Sequence, residues 1–249
     1  MKLLTLNTHS LIEDDYENKL RHFVDAICRI KPDVMALQEV NQSCDNTSDN
    51  HAYRVKKLLE SCGLSYNTEW LPIKNGYGKF DEGIAIFSLS PITDKREILL
   101  SGKDDYSDWR TRKALGIKTE GEWFYSVHFG WWNDEKEPFY EQWERFENSL
   151  NHNESIWVLG DLNSPANALG EGYDYVIDKG WYDTFIMANK RDEGFTVSGK
   201  IDGWCENIDK KRIDYILTNK KREIASSAVV FNGSNERVVS DHFGILVSL

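Results

Sequence analysis

The sequence predicts an α/β fold in which the 249 residues form one domain (1–249), with two β-sheets packed face to face and helices on the outside. Three observations lead to this prediction. Short apolar runs of strand character occur along the whole chain, two long amphipathic segments interrupt them, and no Pro- or Ser-rich linker or internal repeat divides the sequence. Many strands and few helices that feed one core are typical of two packed sheets.

The strands are predicted from short runs of aliphatic and aromatic residues between polar or turn-forming residues. In chain order these runs are Leu3–Asn7, Val34–Glu39, Ile84–Ser88, Ala114–Thr119, Trp123–His128, Ile156–Gly160, Arg212–Leu217, Ala228–Phe231 and Phe243–Val247. The two helices are predicted from apolar residues that recur with a period near 3.6. Tyr16–Ile30 is the first and ends before Pro32, and Glu135–Leu150 is the second.

The charge of the chain bears on its partners. A net charge of −11 and the absence of a basic stripe argue against a nucleic-acid-binding protein, because affinity for a phosphate backbone comes mainly from Lys and Arg. An acidic protein can still bind one phosphate if a metal ion supplies positive charge locally. The aromatic share of 12%, with 9 Trp, either fills a large core or leaves aromatic surface for a cleft.

The cysteines bear on the compartment. Cys28, Cys44, Cys62 and Cys205 form no CxxC pair and have no zinc-site spacing. The first apolar run is too short for a secretory signal, and no segment approaches membrane-spanning length. We therefore expect reduced thiols, a cytoplasmic protein and no membrane partner.

The segment GDLNSP supplies the first candidate site residues. Asp161 and Asn163 follow a buried apolar run and point to the same side in extended backbone. A carboxylate beside an amide at a strand end can orient a water molecule and hold a phosphoryl oxygen or a metal ion. An Asx-rich turn would explain the same composition, so both interpretations stay open at this point.

Two further motifs lie in the last forty residues. Asp241 and His242 precede the final strand, where a carboxylate beside an imidazole can serve a metal-bound oxygen and a proton transfer, although a structural histidine is the plainer interpretation. Asp214 lies in the apolar strand RIDYIL, and a carboxylate there is costly unless it is paired. Its partner is either an imidazole or an arginine.

Three more polar residues stand near the ends of predicted strands: Asn7, Glu39 and His128. Mg²⁺ prefers oxygen ligands, usually one or two carboxylates completed by water and substrate phosphate, so Glu39 and Asn7 predict a Mg²⁺ site that would also accept Mn²⁺. His128 could donate to a phosphoryl oxygen. Each motif is weak alone, but few folds need this whole set at their strand ends.

The combination resembles the endonuclease/exonuclease/phosphatase superfamily. The residues that carry the resemblance are LTLNTH, ALQEV, EGIAIFS at 82–88, SVHF, GDLNSP, RIDYIL and SDHFG, which span essentially the whole chain. The resemblance implies a four-layer α/β sandwich of the deoxyribonuclease type, with two mixed sheets flanked by helices. It also implies in-line attack of water on phosphorus by a metal-dependent phosphoric ester hydrolase.

The resemblance also implies roles on the metal side. Glu39 looks like the main metal ligand, Asn7 lies near it, and Asp241 looks like a further metal-side group. Some nucleases of the family have Asp two residues after the first Asn, where this chain has His9. A second metal subsite built on that carboxylate is therefore not expected, and we place His9 among the substrate-contacting residues.

On the side of the water and the phosphate, the resemblance is equally specific. Asp161 looks like the residue that orients or deprotonates the attacking water, with Asn163 beside it. His242 and Asp214 resemble the family's His–Asp pair, and His128 looks like the histidine that contacts the phosphate.

The substrate is predicted from the residues around His128. Trp131 and Trp132 follow this histidine, and an indole stacked on a sugar ring would hold the sugar beside the phosphate. Trp109 is a second candidate wall, and Arg112 could bind the phosphate with two hydrogen bonds. Capping of the core by the two neighbouring tryptophans explains them equally well.

Within the family, the chain is most similar to bacterial maltose 6′-phosphate phosphatases, in the segments NTHSLIEDDYENKL, HFGWWNDEKEPFYEQW and GEGYDYVIDKGWYDTF. This similarity implies a phosphatase that hydrolyses a small sugar phosphate. The alternatives are a phosphodiesterase of the same fold, either sphingomyelinase-like or an endonuclease, and a binding protein that has lost catalysis. The last would need one of the site residues to be missing, and all are present.

Overall fold

The computed structural model describes residues 1–201 and 203–249. Its strands form two main sheets and a small hairpin. In chain order the strands are β1 (Lys2–Asn7), β2 (Val34–Ser43), β3 (Asn67–Gly76), β4 (Phe80–Ser88), β5 (Asp94–Leu99), β6 (Lys113–Thr119), β7 (Glu122–His128), β8 (Ile156–Asp161), β9 (Tyr182–Asp183), β10 (Ala188–Arg191), β11 (Val197–Ser198), β12 (Lys210–Lys211), β13 (Asp214–Thr218), β14 (Ile224–Val230) and β15 (Gly244–Ser248).

The α-helices cover the outer faces of the two sheets. They are α1 (Tyr16–Ile30), α2 (His51–Ser61), α3 (Phe139–Asn148), α4 (Gly172–Asp178) and the short α5 (Thr184–Met187). Within the described ranges, none of them is long and apolar enough to cross a bilayer.

The order of strands sets which residues meet. Sheet A has seven strands in the order β10-β14-β15-β1-β2-β4-β3, and sheet B has six in the order β5-β6-β7-β8-β13-β9. Most neighbouring strands are antiparallel, but β1 pairs with β2, β7 with β8, and β10 with β14 in parallel. Both sheets are therefore mixed, as the sequence predicted.

Three apolar clusters establish the layers. The first packs α1 and α2 on the outer face of sheet A, and the second packs α3 and α4 on the outer face of sheet B. The third lies between the sheets and includes Leu3, Ala36, Leu159 and Ile216. The molecule is thus a four-layer α/β sandwich, and this prediction is confirmed.

The two predicted helices differ in how well the sequence located them. Tyr16–Ile30 has the predicted bounds, and Lys31 ends it in the left-handed conformation just before Pro32. The predicted start at Glu135 is wrong, because α3 begins only after Pro138. The Asp134 carboxylate accepts the backbone N–H groups of Lys136 and Glu137 at 2.9 Å each, so these residues form a turn instead.

Every predicted strand is present with shifted bounds, and several elements were not predicted. The run Ile84–Ser88 is the end of the longer β4, and Val34–Glu39 is the first part of the longer β2. The missed elements are β3, β5, α2 and α4 and the short pieces β9 to β12 with α5. The segment DKREIL of β5 is an example, since it is mostly exposed and has too few apolar residues for an alternating pattern.

Candidate active site

The candidate site residues of the two sheets meet at one edge of the sandwich. On sheet B the register places His128, Asp161 and Asp214 side by side across β7, β8 and β13. Asn7 ends β1 on sheet A, and Glu39 lies in the neighbouring strand β2. A cavity of about 260 Å³ opens over this edge. The dispersed motifs therefore converge on one space.

Glu39 reaches the cavity because β2 is irregular at this point. The pairing register of β2 and β4 shifts between Leu37 and Val40, and Glu39 has a positive φ of 50°. A bulge of this kind adds a residue and re-aims its side chain. The strand continues to Ser43, so Glu39 does not end it as the sequence suggested.

Asn7 links the carboxylates of the two sheets. Its Nδ2 donates to Oε1 of Glu39 at 2.8 Å and to Oδ2 of Asp161 at 3.2 Å. Its Oδ1 already accepts the backbone N–H of His9 at 3.2 Å. In this structure the amide of Asn7 therefore faces the carboxylates with its donor, and it holds Glu39 and Asp161 close together.

These carboxylates carry more negative charge than the site compensates. Desolvation, with the nearby charges of Glu82 and Asp241, raises the pKa of Glu39 to about 7. Burial, with the charge of Asp214, raises the pKa of Asp161 to about 7. Crowded carboxylate oxygens of this kind fit a hard divalent cation, which would relieve their repulsion.

His242 and Asp214 form a buried pair. Nδ1 of His242 lies 3.0 Å from Oδ2 of Asp214, and its Nε2 lies 3.9 Å from Oδ2 of Asp161. Burial opposes the charged imidazole, but Asp214, Asp161 and Asp241 outweigh it and raise the pKa of His242 to about 10. The partner of Asp214 is thus an imidazole and not an arginine. Thr196 holds the backbone of Asp214 in place, since its Oγ1 accepts the backbone N–H of Asp214 at 3.2 Å.

His128 is neutral, in contrast to His242. Burial, reinforced by the positive charges of Arg112 and Lys74, holds its pKa well below the ordinary value, so this imidazole is neutral. Nδ2 of Asn163 lies 3.1 Å from Nε2 of His128 and donates to the carbonyl of Phe129 at 2.9 Å. The same segment forms an Asx turn, since the backbone N–H of Asn163 donates to Asp161 at 2.7 Å. The Asx turn and the candidate site therefore use the same two residues, Asp161 and Asn163.

Arg112 and Lys74 form a cationic corner that lines the same cavity. Nη1 of Arg112 donates to the carbonyls of Trp109 at 2.7 Å and Thr111 at 3.2 Å, whereas its buried Nε has no partner among the described residues. Lys74 donates to the carbonyl of Trp109 at 3.0 Å and pairs with Glu82 at 3.1 Å. Burial lowers the pKa of both cations.

Sequence reasoning missed Lys74 and Glu82. Glu82 opens the stretch EGIAIFS, which contributed to the family resemblance but received no role. Lys74 lies in β3, which was not predicted, and it meets Glu82 because the two are register partners across β3 and β4.

The aromatic wall of the cavity contains two of the three predicted tryptophans. Trp109 and Trp131 line it, with their ring centroids 5.4 Å apart. Trp132 does not line it, because it packs against Phe139, Tyr140 and Tyr175 on the outer side of sheet B. The prediction of Trp132 as a substrate wall is therefore wrong, and the core-packing interpretation holds for it.

His9 and Asp241 lie on the flank of the site. Nδ1 of His9 is 2.8 Å from Glu13 and 4.0 Å from Asp241. Burial opposes its charge, but the hydrogen bond to Glu13 and the charges of Asp241 and Glu39 raise its pKa to about 9. His9 does not line the cavity, so the geometry gives no support to a substrate contact. Asp241 faces this cluster and contributes to the negative field at Glu39.

Within residues 1–201 and 203–249, two groups of side chains have the composition of a metal site. The ligand atoms of Asp161, Asp214 and His242 lie within 4.8 Å of one another. The same is true of the flank cluster, which consists of His9, Glu13 and Asp241. In the first group the imidazole nitrogen Nδ1 is already engaged by Asp214. Glu39 and Asp161 are the carboxylates that line the cavity.

Comparison with known proteins gives the relatives of this chain. The model of the endonuclease/exonuclease/phosphatase family matches residues 4–242. A solved protein of that family from Leptotrichia buccalis is 32% identical, with a TM-score of 0.91, and the match covers 100% of this chain and 98% of that chain. Among curated proteins, none matches.

Two more distant structures share the fold. A mannosyl-6-phosphatase from Bacteroides thetaiotaomicron is 17% identical, with a TM-score of 0.70 over 100% of this chain and 98% of that chain. A 3′-5′ exonuclease from Neisseria meningitidis is 20% identical, with a TM-score of 0.70 over 100% of this chain and 99% of that chain.

Proposed function

This chain belongs to the endonuclease/exonuclease/phosphatase family, and from that premise we propose that it is a Mg²⁺- or Mn²⁺-dependent phosphatase that hydrolyses a small phosphomonoester. The favoured substrate is a sugar phosphate such as maltose 6′-phosphate. Hydrolysis of phosphoesters follows from the family. The choice of a monoester is the further step, and it depends mainly on one observation, the buried cationic corner.

The cationic corner supports a dianionic substrate. Arg112 is almost fully buried, its Nε has no partner in residues 1–201 and 203–249, and no carboxylate of those residues lies within ion-pair distance of it. A buried charge without a partner is costly, and the cost falls when an anion binds. A terminal phosphate carries more charge than a diester phosphate. Arg112 with Lys74 therefore favours a monoester.

A divalent cation would be held by Glu39, with Asn7 bracing its carboxylate and Asp161 beside it. When bound, such an ion polarises a phosphate oxygen and neutralises developing charge. The raised pKa values of the two carboxylates support the proposal, because burial and the nearby negative charges disfavour the charged carboxylates and a bound cation would favour them. Mg²⁺ is favoured for its preference for oxygen ligands.

The remaining side chains have separate roles in the reaction at phosphorus. Asp161 accepts a proton from the water whose oxygen attacks phosphorus. The bond from phosphorus to the sugar oxygen breaks, and this oxygen keeps the electron pair and takes up a proton from solvent water. The imidazolium of His242, held by Asp214, stabilises the negative charge on the phosphoryl oxygens. His128 and Asn163 supply polar contacts from the neighbouring strand end, and Arg112, which lines the same cavity, binds the phosphate.

The leaving group is proposed to be a sugar. Trp109 and Trp131 form an aromatic wall beside the phosphate space, and such rings stack on apolar faces of sugars. The fold is shared with a mannosyl-6-phosphatase and also with an exonuclease, so the substrate class is argued from the aromatic wall. The net charge of −11 opposes a polyanionic substrate such as DNA. A cytoplasmic location stays a prediction.

The test is a phosphate-release screen with Mg²⁺ across hexose and disaccharide 6-phosphates, a simple diester, sphingomyelin and abasic DNA. We expect release from sugar phosphates at rates well above those for every diester. Preferential cleavage of DNA or of sphingomyelin would refute the monoester assignment. Absence of hydrolysis for the whole panel would favour the binding-protein alternative.

A further inference from the structure

The two halves of the active site belong to different sheets, so something must keep them in register. Glu39 and Asn7 come from sheet A, whereas His128, Asp161 and Asp214 come from sheet B. We propose that Gln38 is a positioning residue, whose buried side chain bridges the two sheets beneath the site and holds the two halves together.

The contacts of Gln38 cross the space between the sheets. Its Nε2 donates to Oγ of Ser126 at 3.2 Å and lies 3.5 Å from the carbonyl of Leu159, both on sheet B. Its Oε1 accepts from Oγ1 of Thr5 on sheet A at 3.2 Å. Gln38, Ser126 and Thr5 are all fully buried. The side chain therefore makes a polar link inside an apolar layer.

The partners of Gln38 lie in the same strands as the site residues and directly precede them on the same face. Alternate residues of a strand point to the same face. Thr5 stands two residues before Asn7, Ser126 stands two residues before His128, and Leu159 stands two residues before Asp161. The partners of Gln38 on both sheets are thus the residues directly beneath the site residues.

The backbone around Gln38 is held from both sides. Its carbonyl accepts the N–H of Thr8 at 2.9 Å and the hydroxyl of Thr8 at 2.8 Å. The hydroxyl of Ser126 also donates to the carbonyl of Leu37 at 3.3 Å. The bulged residue Glu39 follows immediately, so its position depends on these anchors.

Apolar packing alone fixes the relative position of the two sheets less tightly than hydrogen bonds do. The residues that fill the space between the sheets, such as Ala36 and Ile216, attract one another without preferred direction. A hydrogen bond weakens steeply with distance and angle, so it selects one relative position. Gly160 leaves room for the bridge, since a Cβ there would stand 3.1 Å from Nε2 of Gln38 and 2.0 Å from the Val127 carbonyl.

The test replaces Gln38 by Met, which keeps the length of the side chain and removes its hydrogen bonds. A misplacement of reacting groups by about 1 Å costs on the order of a hundredfold, so we expect kcat to fall roughly 10- to 100-fold. We also expect a higher half-saturating concentration of Mg²⁺, because Glu39 moves relative to Asp161. The KM for the phosphoester should change by less than about threefold.

Gln42→Met is the matched control. Gln42 lies on the same strand and is buried, but it bonds to Asp81 at 3.2 Å and to Asn50 at 3.3 Å, away from sheet B. We expect this variant to lose thermal stability like Gln38→Met and to keep the kcat of the unmodified protein. Equal losses of kcat in the two variants, or an unchanged kcat in Gln38→Met, would overturn the proposal.

If Gln38→Met does not fold, Ser126→Ala removes the hydroxyl that bonds to Gln38 and to the Leu37 carbonyl and leaves the Leu159 carbonyl in place. The expected kcat loss is roughly three- to tenfold. An unchanged kcat there would also overturn the proposal. The inference rests on the proposed hydrolase activity, whose failure would appear in the unmodified protein. In that case Mn²⁺ titration followed by electron paramagnetic resonance decides, with weaker binding expected for Gln38→Met and unchanged binding for Gln42→Met.

Discussion

Replacement of Arg112 by Met tests the cationic corner on which the monoester assignment depends. A hydrogen bond to a charged group contributes about 1.5–3 kcal/mol. Arg112 lines the cavity and can supply one such bond to the phosphate. With about 1.4 kcal/mol for each factor of ten, we expect kcat/KM for a sugar phosphate to fall roughly 10- to 150-fold. The loss for a diester should be smaller, because a diester carries less charge.

The same substitution should leave the free energy of unfolding nearly unchanged. It removes two hydrogen bonds from Nη1 to backbone carbonyls, but it also removes a buried charge without a carboxylate partner in the described part of the chain. These effects oppose each other, so we expect a net change within about 1 kcal/mol. Inorganic phosphate at ten times its dissociation constant should stabilise the unmodified protein by about 1.4 kcal/mol and should not stabilise Arg112→Met.

Arg222→Met is the control for this experiment. Arg222 also has a buried Nε without a partner in the described ranges, but it pairs with Glu122 at the opposite end of β7 from His128. We expect it to lower stability and to leave kcat/KM unchanged. Steady-state kinetics and urea unfolding of both variants measure these quantities. If Arg112→Met lost stability and retained its kcat/KM, Arg112 would be a structural residue and the argument for a monoester would fail.

Further predictions concern the site and the stability of the fold. Replacement of Asp161 or His242 by Ala should lower kcat about a hundredfold or more, and near-normal turnover in both variants would exclude their assigned roles. Exhaustive chelation should abolish phosphate release and readdition of Mg²⁺ should restore it, whereas activity that survives chelation would remove the metal from the mechanism. Trp131→Ala should raise KM for a sugar phosphate without changing thermal stability, whereas Trp132→Ala should lower the melting temperature with little effect on KM; the reverse pattern would exchange their roles. Burial lowers the pKa of His51 to about 3, so the unfolded chain binds a proton first as the pH falls below 6.5. Between pH 7.5 and 5.5 this should lower the free energy of unfolding by about 1.4 kcal/mol, which urea unfolding measures against a His51→Gln variant that lacks the effect.

The sequence located the polar residues near strand ends because their signals are local. Asp161 follows a wholly apolar run, and Asn163 stands two residues later, so one alternation predicts both directions. The pairing of Asp214 with His242 was left open between two partners, since nothing local identifies which distant side chain reaches a buried carboxylate. The fold decided this, because β8 lies between β13 and β7 in sheet B and β15 of sheet A contacts β13.

The residues that the sequence missed or misplaced depend on tertiary geometry. Lys74 and Glu82 become neighbours only through the register of two strands, one of which was too polar to predict. Trp131 and Trp132 are adjacent in the chain, yet one lines the cavity and the other packs on α3 and α4. The turn that separates their directions has no periodic pattern, so its geometry could not be inferred from spacing.

The net charge of the chain affects the approach of a long polyanion, whereas the local charge of the site affects the binding of a single phosphate. Exposed charges act over about 8–10 Å before salt screens them, so a net charge of −11 weakens the approach of a long polyanion that would lie along the surface. A single phosphate instead enters the cavity, where Arg112 and Lys74 lie behind the surface and are screened much less. An acidic protein can thus exclude nucleic acid and still bind one phosphate. That division is the physical reason why we propose a phosphatase among the activities of this family.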